Sequence, residues 1–370
     1  MKQELPLGYP EQVIFRLRSL YNRHGYSQYR MSKFEEYDLY ARNKDFLISD
    51  SVITFMDTNG KLMALKPDVT LSIVKNIRDN DAQLHKLYYN ENVYRVTKNA
   101  HCFKEIMQVG LECIGNIDTY SILEVLSLAA ESLQLISPRS ILDISHLGVL
   151  SELLDRLGIP AGRKKEALAC IGSKNIHELD ALCRGCGLEE EKINLLNRTV
   201  TTSGAPTAVL PEIISLVSGF IDPTPLEQLL TITRSLEGTP AGSMLKFDFS
   251  AVDDTRYYNG ILFKGFVEGL PNSVLSGGQY DNLMRKMRRS AGAIGFAVYM
   301  DALERLDDQK SDFDVDTLVL YSAATPLSLI RTNVDRLTGE GRSVLVQQSI
   351  PQGIRPRQIL NLTETEVEDL

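Results

Sequence analysis

Few residues of this chain stand at spacings that dictate a chemistry. Cys183 and Cys186 form a CxxC pair, half of a zinc site by spacing, but a tetrahedral ion takes four ligands and the nearest further candidate, His177, supplies only one. The simpler reading is a pair of thiols on a short helical insert. His24, His85 and His177 read as ordinary surface or interface residues, and His146 as a residue that caps or packs. No Ser-His-Asp or Cys-His set stands at motif spacing, so hydrolytic chemistry has no support. Gly277-Gly278 is too short a signal for a phosphate loop and reads as a place where backbone approaches a ligand closely. Lys98, His101 and Lys104 share one polar loop and offer positive charge to an acidic partner, to RNA or to water. Gln108 and Glu112, four apart in an extended segment, fall on one face of a strand. Asp68 and Thr70 stand at the positive end of a helix, read as exposed.

The elements that carry these residues follow from periodicity. Val13, Ile14, Leu17, Leu20 and Tyr21 recur at helical spacing and stop at Gly25. Val52 to Leu65 reads as strand, Asn-Gly turn and strand. After Pro67, Val69, Ile73, Val74 and Ile77 share a helix face. Lys86 to Tyr94 and Glu105 to Gly115 form a long hairpin around the basic loop, followed by a helix over Thr119 to Leu135 and a strand over Ser140 to Asp143. Consecutive strands of this kind argue for α+β and against a doubly wound sheet. The pattern turns helical from about His146, with Leu147, Leu150, Leu153, Leu154 and Leu157 at core spacing. Strands resume at Leu245 to Phe249, Ile261 to Val267 and Val274 to Leu275, followed by the double glycine and a helix from Gln279 to Met287. A further helix is expected from Gly295 to Leu306, then an acidic linker over Asp307 to Asp314. Beyond it lie a strand at Thr317 to Tyr321, a helix at Pro326 to Leu337 and a strand at Ser343 to Gln347.

Composition bounds the class. The chain has 370 residues, 43% hydrophobic and 24% charged, as in a folded globular protein of two or three units. Its few, scattered cysteines do not make a disulfide framework, and neither a spanning apolar run nor a leader is visible, so a cytoplasmic location is expected. The net charge of −8 gives no overall attraction to nucleic acid.

Six segments, taken in order, carry a family resemblance. Lys66-Pro67-Asp68-Val69-Thr70, Tyr94-Arg95, Gln108-Val109-Gly110-Leu111-Glu112, Tyr257-Tyr258-Asn259-Gly260, Ser276-Gly277-Gly278-Gln279-Tyr280-Asp281 and Gly295-Phe296-Ala297 resemble the signature segments of class II histidyl-tRNA synthetases. The resemblance covers roughly residues 5 to 306. It implies an α+β fold with a class II aminoacyl-tRNA synthetase-like antiparallel sheet flanked by helices, built as a homodimer. The first domain would span 1–306 with a helical insert at about 146–240, and a small truncated α/β C-terminal unit would span 315–370. It also implies a site for histidine. Asp68 would take the α-amino group with the Thr70 hydroxyl beside it, Gln108 the polar end, and Glu112 the imidazole or amino group. Tyr258 and Tyr280 would wall the imidazole, and Arg95 would pair with the carboxylate. Tyr257 is read as a core aromatic, with Tyr258 alternating to the opposite face.

The departures from the synthetase pattern lie on the ATP side, where cations must stabilise charge developing on the triphosphate. The family's Gly-Phe-Ala-x-Gly-x-Glu-Arg-Leu is here Gly295 to Leu303, with Ala302 in place of the arginine and Tyr299 in place of the second glycine. The catalytic arginine of Arg-Gly-Leu-Asp-Tyr-Tyr falls on Asp253, and Arg256, offset by three residues, would point to the other strand face. The glutamate expected after Arg95 is Thr97, and Ser32 stands where proline is usual. Such uneven loss resembles the ATP phosphoribosyltransferase regulatory subunits, a synthetase-like family without chemistry of its own. Its members partner the short form of the first enzyme of histidine biosynthesis and pass on feedback inhibition by histidine. The resemblance implies no cofactor, L-histidine as ligand, and the short-form ATP phosphoribosyltransferase catalytic subunit as partner, with a homodimer inside a hetero-oligomer. Neither membrane nor tRNA is expected as a partner. An active histidyl-tRNA synthetase and another synthetase-like histidine-sensing protein stay open as alternatives.

Overall fold

Alternation of small and large side chains, more than of polar and apolar ones, builds the centre of this protein. The computed structural model describes residues 7–47, 52–77, 84–96, 102–252, 257–306 and 313–362. The chain divides into two compact units, the larger being Tyr9–Arg305. Thr97, Lys98, His101, Asp253, Arg256 and the linker stretch 307–312 lie outside the described residues.

The larger unit opens with α1 (Tyr9–Arg23), whose periodic residues Val13, Leu17, Leu20 and Tyr21 are buried, and β1 (Ser27–Gln28). Next come β2 (Phe34–Glu36), α2 (Tyr37–Arg42), β3 (Thr54–Met56) and β4 (Leu62–Leu65). The latter two form the expected hairpin, turned by Asp57 to Gly60 with Gly60 at φ +77°, and with β2 they make a small sheet ordered β2-β4-β3. Then follow α3 (Thr70–Asn76), the long antiparallel hairpin β5 (His85–Val96) and β6 (Phe103–Gly115), α4 (Thr119–Ile136) and β7 (Ser140–His146).

Six helices come next among the described residues: α5 (Leu147–Leu157), α6 (Lys164–Gly172), α7 (Ile176–Gly185), α8 (Glu190–Thr201), α9 (Pro206–Val217) and α10 (Thr224–Ser235). His146 caps α5, its Nδ1 accepting the Val149 N–H; burial lowers its pKa to about 4, which keeps the ring neutral. The chain returns through α11 (Pro240–Ser243), β8 (Leu245–Phe247), β9 (Ile261–Val267), β10 (Leu275–Gln279), α12 (Asp281–Lys286) and β11 (Gly292–Tyr299).

These strands make a sheet of eight among the described residues, ordered β1-β5-β6-β11-β10-β9-β7-β8. Its pairings are antiparallel except β1 with β5 and β7 with β8, so the sheet is mixed with an antiparallel centre. One face carries the large residues. Phe296 packs against Tyr21 of α1 and Phe263 of β9, with ring centroids 6.0 and 6.2 Å apart, and α4 lays Leu133 directly over Gly265. Burying each such leucine contributes roughly 1.5–3 kcal/mol. The other face carries small residues in register, Gly110 opposite Ala297 and Glu112 opposite Gly295. That face holds the site described below.

Two expectations are corrected here. Gly295 to Leu306 is not a helix: its first half is β11, and Met300–Leu306 form a 3₁₀ turn. Ala293, Gly295 and Ala297 alternate with Ile294, Phe296 and Val298, a period of two in size alone, because β11 is central and nearly dry on both faces. The double glycine does not follow a strand but lies inside β10, and α12 begins only at Asp281. A Cβ on Gly277 would come within 2.4 Å of the Gly295 carbonyl oxygen, and one on Gly278 within 2.8 Å of Tyr258 Cδ1. The close approach is therefore made by the protein's own groups.

In the smaller unit β12 (Val315–Leu320), α13 (Leu327–Gly339), β13 (Val344–Gln347) and β14 (Pro356–Asn361) form a parallel sheet ordered β13-β12-β14. Val319, Leu337 and Leu362 form its buried centre. The third strand, β14, was not anticipated from Arg355 to Asn361, whose polar content hides an edge strand.

Gly277→Ala is expected to lower the unfolding free energy by roughly 1–3 kcal/mol, because the methyl meets fixed backbone. Thermal or denaturant unfolding measures it; an unchanged midpoint contradicts the close packing of β10 on β11.

Candidate functional site

The small-residue face of the sheet is closed by α3 and by the chain before α12, and the polar residues singled out from sequence meet there. Glu112, in the middle of β6, is almost wholly buried. Thr70 Oγ1 donates to its Oε1 at 2.7 Å and the Tyr280 hydroxyl donates to its Oε2. Glycine at 295 is required beside it, since a Cβ there would lie 1.9 Å from Glu112 Oε2. Desolvation pushes the Glu112 carboxyl up to about 8; the hydroxyls of Tyr280 and Thr70 oppose the shift and Asp68 adds to it.

Asp68 and Thr70 sit at the start of α3, as expected, but buried instead of exposed. The Asp68 Oδ1 accepts the Leu71 N–H at 2.8 Å, tying off one of the helix's unsatisfied amides. Burial raises the Asp68 pKa, and the Leu71 N–H, Arg95 and the Thr70 N–H pull it back. Arg95 lies at the rim with its Nε donating to the Pro67 carbonyl at 3.0 Å. Gln108 follows Glu112 on the same face of β6; its buried side chain makes no hydrogen bond to another described residue.

Aromatic rings wall the rest. Tyr280 is buried, and Tyr257 lies 5.8 Å from it and 4.7 Å from Tyr258, measured between centroids. Tyr257 packs against the apolar core of this unit, and burial raises its pKa, with Asp68 and Glu112 adding to the rise and Thr70 opposing it. The expectation that Tyr257 and Tyr258 point apart fails because they lie in a turn, where strand alternation does not hold. Tyr89 was missed. Its ring lies over Gly110, where a Cβ would fall 2.1 Å from Cζ, and Glu112, Asp68, Tyr299 and Tyr258 all add to the rise in its pKa caused by burial. Nothing in Tyr88-Tyr89 tells which ring faces the site, although a glycine opposite an aromatic was a usable sign.

The other end of the same face differs. Tyr299 stands opposite Gln108 at the end of β11, on the face of Gly295 and Ala297. Just beyond, Lys104 Nζ pairs with Asp301, so the basic side chain of the hairpin is engaged within the protein. Among the described residues no three His, Cys, Asp or Glu gather to hold a metal, and no helix is long and apolar enough to cross a membrane.

The fold is that of a class II aminoacyl-tRNA synthetase catalytic domain. A histidyl-tRNA synthetase family model matches residues 9–303, and the chain belongs to that family. It is 26% identical over 316 residues, 84% of this chain and 77% of the relative, to the ATP phosphoribosyltransferase regulatory subunit of Oceanobacillus iheyensis. Among solved structures, an ATP phosphoribosyltransferase regulatory subunit/histidyl-tRNA synthetase from Bacillus halodurans is similar with a TM-score of 0.76 at 22% identity, over 96% of this chain and 94% of that one. A chain of the ATP phosphoribosyl transferase complex from Thermotoga maritima is similar with a TM-score of 0.62 at 19% identity, over 78% of this chain and 96% of that one. At these identities the two structures speak to the fold.

The raised pKa of Glu112 sets a pH dependence. A carboxyl whose pKa is higher in the folded state favours folding at low pH, and that contribution is lost as pH rises from its ordinary 4.5 through about 8. Glu112→Gln is therefore expected to gain stability relative to the unaltered chain across that window. Chemical unfolding at both ends of it measures the gain; a pH-independent difference contradicts the desolvated carboxyl.

Proposed function

We propose that this chain is a non-catalytic regulatory subunit of ATP phosphoribosyltransferase, the first enzyme of histidine biosynthesis, and that it binds L-histidine in the site around Glu112. One observation carries this reading: Asp68, Thr70, Glu112 and Tyr280 meet over one end of a sheet face, while Tyr299 ends β11 on that same face and Lys104 beyond it is paired with Asp301. The relatives named as regulatory subunits support it over most of the chain.

L-Histidine matches the amino-acid end group by group. Its ammonium fits Asp68 and the Thr70 hydroxyl, the imidazole fits Glu112, and Tyr258 and Tyr280 flank the ring. Arg95 and the Gln108 amide serve the carboxylate and the polar end. Between the ordinary imidazole pKa of about 6.5 and about 8 the Glu112 carboxyl can pass its proton to the incoming ring, so the carboxylate–imidazolium pair forms there without net proton release. At the nucleotide end the position directly after Asp301 is Ala302, whose methyl gives a triphosphate no charge where the synthetase pattern has arginine. The partner is a short-form catalytic subunit, whose active and inhibited states the chain biases according to the occupancy of the histidine site, a coupling typically of ~1–3 kcal/mol.

Three measurements test this. The purified chain is expected to show no histidine-dependent ATP–pyrophosphate exchange; exchange makes it a synthetase. Calorimetry is expected to show L-histidine binding that Glu112→Ala weakens by about 10- to 100-fold, the loss of charge-assisted bonds to a buried group. Equal binding by both proteins removes the site assignment. Added to the short catalytic subunit of its own organism, the chain is expected to raise phosphoribosyl transfer and make it sensitive to histidine.

A further inference from the structure

The strap Lys66-Pro67-Asp68 joins the last strand of the small sheet to α3 and carries the carboxylate assigned to the ligand's ammonium. Being neither helix nor strand, it depends on separate tethers. Its Lys66 N–H donates to the Lys33 carbonyl at 3.2 Å, its Lys66 carbonyl accepts the Tyr94 N–H at 2.9 Å, and its Pro67 carbonyl accepts Arg95 Nε. The remaining tether is unusual. The Lys66 side chain is completely buried, and its Nζ donates to Glu91 Oε2, while Glu91 Oε1 accepts the Met31 N–H at 3.4 Å. Glu91 lies opposite Gln108 in the β5–β6 register, so this ion pair anchors the strap to the strands that form the floor of the site.

Stability gives a weak reason for such a pair. Desolvating an ammonium and a carboxylate consumes most of their attraction, and apolar side chains of similar size usually serve a core as well or better. What an ion pair adds is a fixed position, which matters where a carboxylate two residues away must meet an ammonium at hydrogen-bond distance.

We infer that Lys66 and Glu91 are positioning residues for amino-group recognition: the pair formed by the buried Lys66 and the partly buried Glu91 holds Asp68 where it meets the ammonium of an amino-acid ligand. The inference rests on the proposed histidine site and adds a specificity device to it. It touches the amine and leaves the imidazole, held by Glu112, unaffected.

The test compares two ligands, L-histidine and imidazolepropionate, its analogue without the amino group. In Lys66→Met/Glu91→Gln both charges are removed together, so no unpaired charge is left in the core. This variant is expected to unfold at much the same denaturant concentration as the unaltered chain. It is also expected to bind L-histidine about tenfold more weakly, with imidazolepropionate little changed. Glu91→Gln alone keeps an acceptor for Lys66 and gives the same split in smaller size, which serves if circular dichroism shows the double variant unfolded. Equal losses for both ligands, or no loss for either, overturn the positioning role while the histidine site stands. No L-histidine binding by the unaltered chain overturns the site itself and this inference with it.

Discussion

The structure turns on a carboxyl group that water does not reach. Glu112 lies in the central strands of a sheet covered on its other face by α1 and α4, held by two hydroxyls and crowded by Asp68. In that environment it is stable in its neutral form unless a positive charge arrives. Every neighbouring choice serves this. Glycine at 295 makes room for the carboxyl, glycine at 110 lets Tyr89 lie flat, and α3 begins where its first residues complete the polar wall.

A synthetase and a sensor share all of this, since both must recognise the amino acid. The fold does not separate the two; side chains must. A triphosphate requires fixed cations, and the amino-acid half does not. Glu112, Thr70 and Tyr280 satisfy one another without help from the end beyond Gln108.

Much of the architecture was legible. Helical periodicity marked α1, α4 and the insert, and the long hairpin β5–β6 and the Asn-Gly turn were visible in their runs and punctuation. Gln108 and Glu112 fall on one face because strand geometry leaves no alternative. The failures have physical causes. β11 was read as a helix because a strand dry on both faces shows no polar alternation, and its alternation in size looks like nothing in a polarity pattern. The alternation expected for Tyr257 and Tyr258 fails because Tyr257 lies in a turn. Tyr89 and the Lys66–Glu91 pair were invisible, since a lysine and a glutamate in a soluble protein are ordinarily surface residues.

The sequence by itself determined the family, the order of the elements and the identities of the groups available for a ligand, because these depend on local periodicity and on motifs that keep their spacing. Only the tertiary structure decided which groups are dry. Burial is a property of distant segments brought together: α3 over β6, Tyr258 over Gly278, Glu91 against Lys66. Desolvation turns an ordinary glutamate into one that titrates near 8 and an ordinary lysine into a buried tether, and no run of neighbouring residues encodes it.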